Sequence, residues 1–183
     1  SKFINVDDLQ VHYRIEGEGT PIVLIHGTAS SLHTWDAWTA ELKKTNKVIR
    51  MDLPAFGLTG PNATADYSIK SYTNFLHKFL TKIEIDTFYL AGNSLGGNIA
   101  WNYTAEHPQK IEKLILVDAS GLPTNKPQPA IFEHAFEKIG FPAKEKVLMI
   151  GDSLHSDIQG GINYGIDTCW YNLMAHWFDV LIA

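Results

Sequence analysis

The sequence predicts an α/β fold, a three-layer sandwich around a mostly parallel eight-stranded sheet. Solid apolar runs such as residues 21–25 and 147–150 are typical of strands buried on both faces of a parallel sheet. Helical apolar patterns alternate with these runs along the chain. A Gly-x-Ser-x-Gly motif at residues 92–96 lies between a strand-like run and a helical pattern, which indicates a sharp strand-to-helix turn.

The first half of the chain begins with a predicted hairpin, since residues 3–6 and 10–15 alternate like two strands. Residues 21–25 and 47–51 predict the next two strands, with a helix between them from about Leu32 to Lys43. A second helix follows, and its apolar residues recur at helical spacing on one face. These residues are Ile69, Tyr72, Leu76, Phe79, Leu80 and Ile83.

The second half continues the alternation of strands and helices. Strands are predicted at residues 88–91, 111–117, 147–150 and 168–171. Helices are predicted at residues 98–106, around 131–139, around 158–162 with Ile158 and Ile162 facing inward, and at 174–182. Together with the first half this gives eight strands, and right-handed crossovers make most of them parallel.

The Gly-x-Ser-x-Gly motif makes Ser94 the candidate nucleophile. A tight turn between strand and helix forces its central residue to a strained, positive φ, and Gly92 and Gly96 let the two backbones pass each other. The amide of Leu95 then lies at a helix N-terminus, where it can stabilise an oxyanion. The bare five-residue pattern also fits an ordinary glycine-rich turn, but the strand before it and the helix after it favour a nucleophile elbow.

Residues 1–124 resemble the N-terminal two thirds of an α/β-hydrolase. The matching pieces are residues 23–27, Asp52-Leu53-Pro54 with Gly57, the elbow, and residues 114–118, in the order and spacing of that family. The resemblance implies a serine hydrolase whose oxyanion hole consists of the amides of Leu95 and Thr28, and it makes His26 a structural loop residue. The helical lid, the acid-bearing strand and the Gly-His loop that usually follow are missing from the sequence after Asp118.

Residues 126–172 resemble instead the C-terminal part of a haloacid-dehalogenase-type phosphatase, closest to its nucleotidase-like branch. The resemblance rests on residues 126–132, 147–153, 156–161 and 165–170. It implies phosphoryl binding by Lys126 and magnesium binding by Asp152 and Asp157. The Asp-x-Asp nucleophile motif does not precede these elements, so we expect no phosphatase activity, no metal centre and no cofactor.

The two resemblances together predict one domain, residues 1–183, of recombined origin. In this interpretation residues 1–125 are the hydrolase-like segment, residues 126–172 complete its sheet, and residues 173–183 form a closing helix. A join between two unrelated families that falls between secondary-structure elements indicates an engineered or recombined chimera. The alternative is one natural domain.

The predicted catalytic triad is Ser94, Asp152 and His176. The C-terminal ends of parallel strands share one edge of the sheet, and acyl transfer needs a base near the serine and an acid to orient that base. The order nucleophile, acid, base holds if Asp152 follows the seventh strand and His176 the eighth. Asp118 is an alternative acid, and His155 is an alternative base.

Composition limits the partners and the compartment. A net charge of −5 and an isoelectric point near 5.9 argue against a nucleic-acid partner, and a membrane partner is not expected because no apolar stretch reaches about 20 residues. No signal peptide opens the chain, and the single cysteine, Cys169, favours a reducing cytoplasm.

The function predicted from these observations is a weak, lidless serine esterase that acts on small-molecule esters through an acyl-enzyme. Two alternatives stay open: an inactive scaffold, and a binding module that uses the open cleft. The uncovered lid surface could also form a homodimer, because exposed apolar patches favour association.

Overall fold

The computed structural model describes residues 1–121, 144–153 and 157–170. The strands are β1 Lys2–Val6, β2 Leu9–Glu16, β3 Thr20–Ile25, β4 Asn46–Met51, β5 Phe88–Asn93, β6 Ile111–Val117, β7 Val147–Gly151 and β8 Asp167–Trp170. The helices are α1 Asp36–Leu42, α2 Ile69–Lys82, α3 Leu95–Glu106 and α4 Gln159–Tyr164. Short 3₁₀ helices occupy Leu32–Trp35, Pro108–Lys110 and Lys144–Lys146.

The eight strands form one sheet in the order β1-β2-β4-β3-β5-β6-β7-β8. β2 pairs antiparallel with β1 and with β4, and the remaining neighbours are parallel. The predicted mostly parallel, eight-stranded α/β architecture is therefore confirmed. The C-terminal ends of β3 to β8 meet at one edge of the sheet, and the candidate site lies along that edge.

Helices cover both faces of the sheet. Alternate residues of each central strand point to opposite faces, so each strand contributes side chains to two core layers. On β3, Val23 and Ile25 belong to the larger core cluster, to which α2 and α3 contribute, whereas Ile22 and Leu24 belong to a smaller cluster with α1. The larger cluster continues across the sheet to Met149 on β7. The two clusters are the two core layers of the three-layer sandwich.

The helix predicted from Leu32 to Lys43 divides into the 3₁₀ helix Leu32–Trp35 and α1. The carbonyl of Leu32 accepts a hydrogen bond from Arg50 Nη1 (3.1 Å), and its amide donates to Asp52 (2.8 Å). These buried bonds to the end of β4 tie the first turn to the sheet and set it apart from the helix that follows.

The boundaries on either side of Ser94 and one helix face differ from the prediction. β5 runs to Asn93 and α3 begins at Leu95, so the glycines after Ser94 belong to the helix. The prediction that Ile162 faces inward is wrong, because Ile162 is 49% exposed while the neighbouring Gly161 is buried. α4 lies so close to β8 that a side chain at Gly161 would collide with Thr168.

The helices predicted around residues 131–139 and at 174–182 lie outside the described residues. The sequence analysis predicts no lid between β6 and β7. Most of that segment also lies outside the described residues. Among the residues that the structure describes, no helix combines the length and the apolar character needed to cross a bilayer.

Candidate active site

Ser94 occupies a sharp turn between β5 and α3. Its backbone has φ 49° and ψ −111°, a strained conformation for a residue with a side chain. The turn is tightly packed, because a Cβ on Gly92 would collide with the Gly96 carbonyl and a Cβ on Gly96 with the carbonyl of Ile25. The positive φ and the small flanking residues are those that the sequence motif predicts for a nucleophile elbow.

The peptide groups around Ser94 are fixed to the end of β6. The amide of Ser94 donates to the carbonyl of Val117 (3.0 Å), and the amide of Ser120 donates to the carbonyl of Ser94 (3.1 Å). Leu95 is the first residue of α3, so its N–H has no partner within the helix. The turn thus presents the amide that the oxyanion prediction requires.

Thr28, the second predicted oxyanion donor, lies in an exposed turn after β3. The preceding residue, Gly27, packs against the elbow: a Cβ built there would lie 2.8 Å from Asn93 Oδ1 and 3.2 Å from Ser94 Cβ. The turn that carries the Thr28 amide is therefore a direct neighbour of the candidate nucleophile.

His26 is completely buried and both of its ring nitrogens are engaged. Nε2 lies 3.0 Å from the backbone nitrogen of Leu53, and Nδ1 lies 2.8 Å from the carbonyl oxygen of Gly27. Burial lowers the pKa of His26, although the Gly27 carbonyl and Asp52 act in the opposite direction. This agrees with the structural role that the sequence analysis gave His26, since neither nitrogen is available to Ser94.

Asp52 connects the loops of this edge, and the sequence analysis did not assign it that role. Its carboxylate accepts hydrogen bonds from the amides of Leu32 and Leu58, both at 2.8 Å, and lies 2.8 Å from Nδ1 of the buried His12. Burial alone would raise the pKa of Asp52, but the bonds from Leu32, Leu58 and His12 outweigh it and hold that pKa below its usual range. The Asp52-Leu53-Pro54 motif marks the position in the sequence, but nothing there identifies His12 as the partner.

Three carboxylates meet further along the same edge. Ligand atoms of Asp118, Asp152 and Asp157 all lie within 4.8 Å of one another, and the amide of Asp152 donates to Asp118 Oδ1 (3.1 Å). Partial burial raises the pKa of Asp118, and the carboxylates of Asp152 and Asp157 act in the same direction. Exposed acidic groups also cluster where no metal binds, so the cluster alone assigns no ion.

Of the two candidate acids, Asp118 lies closer to Ser94 along the sheet. Asp118 directly follows β6. Val117 before it and Ser120 after it both form backbone hydrogen bonds with Ser94. Asp152 follows β7, one strand further away. The structure thus brings the predicted acid and its alternative together, with the alternative between Asp152 and the serine.

The predicted base, His176, and its alternative, His155, lie outside the described residues. The five histidines that the structure describes have other partners. His12 is paired with Asp52, His26 with Leu53 and Gly27, His33 with Asp36, and His77 with His107. The triad of Ser94, Asp152 and His176 therefore stays a prediction.

Comparison with protein families gives a match that covers most of the chain. The family model described as "alpha/beta hydrolase fold" matches residues 20–155. The matched region includes the Ser94 elbow, the Thr28 turn, and both Asp118 and Asp152. It also continues past residue 126, where the sequence analysis placed the join between two families.

Two curated relatives come from different classes of enzyme. A monoacylglycerol lipase of Xenopus laevis is 32% identical over 108 residues, which is 58% of this chain and 32% of the lipase. A pyrimidine 5′-nucleotidase of Escherichia coli strain K12 is 37% identical over 90 residues, 45% of this chain and 40% of the nucleotidase. The chain spans about a third to two fifths of the length of the curated relatives that it matches.

Among solved structures, the chain is similar to a meta-cleavage product hydrolase from Pseudomonas fluorescens IP01. The TM-score is 0.71 at 18% identity, and the match covers 90% of this chain and 85% of that hydrolase. At this identity the similarity concerns the fold alone.

Proposed function

We propose, because this chain belongs to the α/β-hydrolase fold family, that it is a serine hydrolase of small carboxylic esters. The observation that carries the proposal is the backbone of Ser94, which has φ 49° in a sharp turn at the edge of the sheet. A serine in that conformation costs about 1–3 kcal/mol, and such strain persists mainly where function uses it. The similarity to a monoacylglycerol lipase favours an ester substrate.

In the proposed reaction Ser94 Oγ attacks the ester carbonyl and forms an acyl-enzyme, which water then hydrolyses. The amides of Leu95 and Thr28 stabilise the negative charge that develops on the carbonyl oxygen. His176 takes the proton from Ser94 and gives it to the leaving alcohol, and Asp152 orients His176. Asp118 is the alternative acid, and its position between Ser94 and Asp152 supports that alternative.

Two measurements test the proposal: covalent labelling by a fluorophosphonate, and hydrolysis of p-nitrophenyl acetate. We expect the parent chain to take up the label at Ser94 and to turn the ester over slowly. Ser94→Ala abolishes labelling and lowers hydrolysis to the uncatalysed rate, because it removes the only proposed nucleophile.

Ser120→Ala is the matched control, since Ser120 lies at the same edge and is exposed. It removes a hydroxyl beside the elbow while its backbone bond to Ser94 stays in place. We expect labelling of this variant to stay within about twofold of the parent. If the parent takes up no label, the esterase proposal is wrong, and an inactive scaffold or a binding module accounts better for the chain.

The proposal also includes a recombined origin, with a hydrolase-like segment followed by a haloacid-dehalogenase-like one. Its support is the match to a pyrimidine 5′-nucleotidase over 45% of the chain, together with the motif resemblance in residues 126–172. The family match that runs to residue 155 favours instead one natural domain. Phosphatase activity is not part of the proposal, because the sequence lacks the Asp-x-Asp motif.

The remaining predictions extend this proposal. The prediction that the protein resides in a reducing cytoplasm rests on the single cysteine, Cys169, which is half-buried on β8. Association into a homodimer through the surface that a lid would cover rests on the sequence pattern. Size-exclusion chromatography with light scattering measures the oligomeric state directly.

A further inference from the structure

Two imidazoles lie where α2 and α3 pack together, away from the candidate active site. His77 on α2 and His107 at the end of α3 stack with 4.5 Å between ring centroids and 14° between ring planes. We propose that these two histidines share one divalent transition-metal ion such as Zn²⁺, which links α2 to α3. About 18 Å of helix separates this site from Ser94, so the inference does not depend on the proposed esterase function.

The ring nitrogens of this pair are available as ligands. Nδ1 of His77 lies 3.3 Å from the hydroxyl of Tyr103. In the part of the chain that the structure describes, no protein group forms a hydrogen bond with Nε2 of His77 or with either nitrogen of His107. Both residues are half-buried, and these nitrogens are not among the fully buried atoms without a partner, so dissolved ions reach them. Neutral imidazole nitrogen is the commonest protein ligand for transition metals.

The stacking places the two rings close to the spacing that one ion requires. Zinc binds imidazole nitrogen at about 2.0–2.1 Å, so tetrahedral geometry places two such nitrogens roughly 3.4 Å apart. The ring centroids are 4.5 Å apart, and closing the outer edge of the stack by about 1 Å brings one nitrogen of each ring into range. The χ2 torsion of histidine is soft, and no hydrogen bond fixes the ring of His107, so a small ring rotation supplies this change.

Tyr103 orients the ring of His77 for this role. Its side chain is completely buried beneath the pair, and its ring contacts both imidazoles. With Nε2 on the metal, Nδ1 of His77 carries a hydrogen and donates it to the hydroxyl oxygen of Tyr103. A hydrogen bond of this kind at the second nitrogen of a ligating histidine fixes the ring and strengthens metal binding.

The charges around the pair leave room for a cation. Lys70 and Lys110 both act on His107, and each is paired with a carboxylate. Lys70 Nζ lies 2.9 Å from Glu106, and Lys110 Nζ lies 2.6 Å from Asp86. These four side chains together carry no net charge, so the ligand chemistry decides which ion binds. Two imidazoles favour Zn²⁺ over Mg²⁺, which prefers oxygen ligands.

Thermal unfolding at about pH 7.5, where imidazole is neutral, tests the site with and without about 0.2 mM ZnCl₂. An ion that binds only the folded chain stabilises it by mass action, so we expect the melting temperature of the parent to rise by about 3–6 °C. His107→Phe keeps a stacking ring but removes both nitrogens, and we expect it to lose most of this rise. His33→Gln is the control and should keep the full rise, because His33 is an exposed histidine on another segment. No rise in the parent, or an equal rise in His107→Phe, overturns the inference.

Nuclear magnetic resonance of the imidazole nitrogens locates the ion without any need for activity. We expect stoichiometric Zn²⁺ to shift the ring ¹⁵N signals of both His77 and His107. The shifted nitrogen of His77 should be Nε2, because Nδ1 faces Tyr103. In His77→Gln the response of His107 should disappear, since a single imidazole holds zinc only weakly. A response confined to one ring of the parent, or a response of His107 that persists in His77→Gln, means an adventitious ion only and contradicts the shared site.

Discussion

Asp52 holds three segments of the site edge together through one buried carboxylate. It accepts from the amides of Leu32 and Leu58 and pairs with His12, whose side chain is only 2% exposed. Gly57 lies so close that a Cβ there would collide with the carboxylate. Removing this carboxylate would leave the two amides and the imidazole without their buried acceptor. That loss costs more free energy of folding than the interaction itself contributes.

We expect Asp52→Asn to destabilise the protein by about 3 kcal/mol at neutral pH. The asparagine side chain has one acceptor oxygen instead of two. Its NH₂ group would face a backbone N–H or His12, so a hydrogen bond that the carboxylate accepts is lost. Urea unfolding measures the difference. Asp86→Asn is the control, because Asp86 is exposed and its ion pair with Lys110 contributes little.

The stabilising effect of Asp52 depends on pH in a defined direction. Its pKa is lower in the folded chain than its ordinary value of 3.8, so its contribution is complete above that value and is lost as the pH falls through the lowered pKa. The gap between the parent and Asp52→Asn should therefore narrow in acid. A gap that stays constant down to the acid transition would show that the charge of Asp52 is not what stabilises the loops.

At the scale of single residues, the sequence was sufficient for Ser94 but not for the residues around it. The spacing of Gly92, Ser94 and Gly96 encodes a local turn, so the positive φ could be predicted. The bonds of Asp52 join residues up to 40 positions apart, and a sequence pattern does not specify such partners. His26 was assigned as structural only through a family resemblance, since its bond to Leu53 also depends on the tertiary fold.

At the scale of elements, α2 and α3 meet through a pair of stacked imidazoles. The rings of His77 on α2 and His107 at the end of α3 lie 4.5 Å apart at 14°, and His77 Nδ1 lies 3.3 Å from the hydroxyl of Tyr103. Burial lowers the pKa of His107, and His77 lowers it further, as do Lys110 and Lys70, while Glu106 opposes them. The contact between the two helices thus favours the neutral form of the His107 imidazole.

This contact should weaken in mild acid. The unfolded chain binds a proton at His107 more readily than the folded chain does, so stability is complete above the ordinary value of 6.5 and falls as the pH drops from there toward the lowered pKa. His107→Phe keeps a stacking ring without a titrating group, and we expect it to flatten the decline of the melting temperature between about pH 7 and pH 5. If the variant and the parent decline in parallel, the stacked pair is not the source of the effect.

The elements themselves were largely predictable, because apolar periodicity determines them. All eight strands are present, yet the start of α3 was placed too late since glycines usually indicate a turn. Here Gly96 and Gly97 lie in the first turn of α3, where β3 and Ala119 come so close that only residues without side chains fit. The same reason explains α4, where buried glycines rather than Ile162 face the sheet.

At the scale of the whole molecule, β7 and β8 continue the sheet of the hydrolase-like segment. β7 pairs with β6 from Leu114 to Val117, and Met149 is completely buried in the same core cluster as Val23 on β3. The sequence predicted this continuity because both segments consist of strands and helices that cross over in the right-handed sense. It could not decide whether Asp118 or Asp152 is the acid of the proposed triad, since that depends on distances across the edge.

If the sheet folds as one body, weakening β7 must destabilise strands on the far side of it. We expect Met149→Ala to lower the free energy of unfolding by about 2–4 kcal/mol, because it leaves a cavity in the shared core. Hydrogen exchange followed by mass spectrometry should then show faster exchange in peptides from β3 and β4 as well as in those from β7. Ile162→Ala is the matched control on the same segment, since Ile162 is 49% exposed and its truncation changes stability by no more than about 0.5 kcal/mol. Faster exchange confined to β7 and β8, with β3 and β4 unchanged, would mean that the second segment folds as a separate unit, and the single domain on which the proposed triad depends would then be wrong.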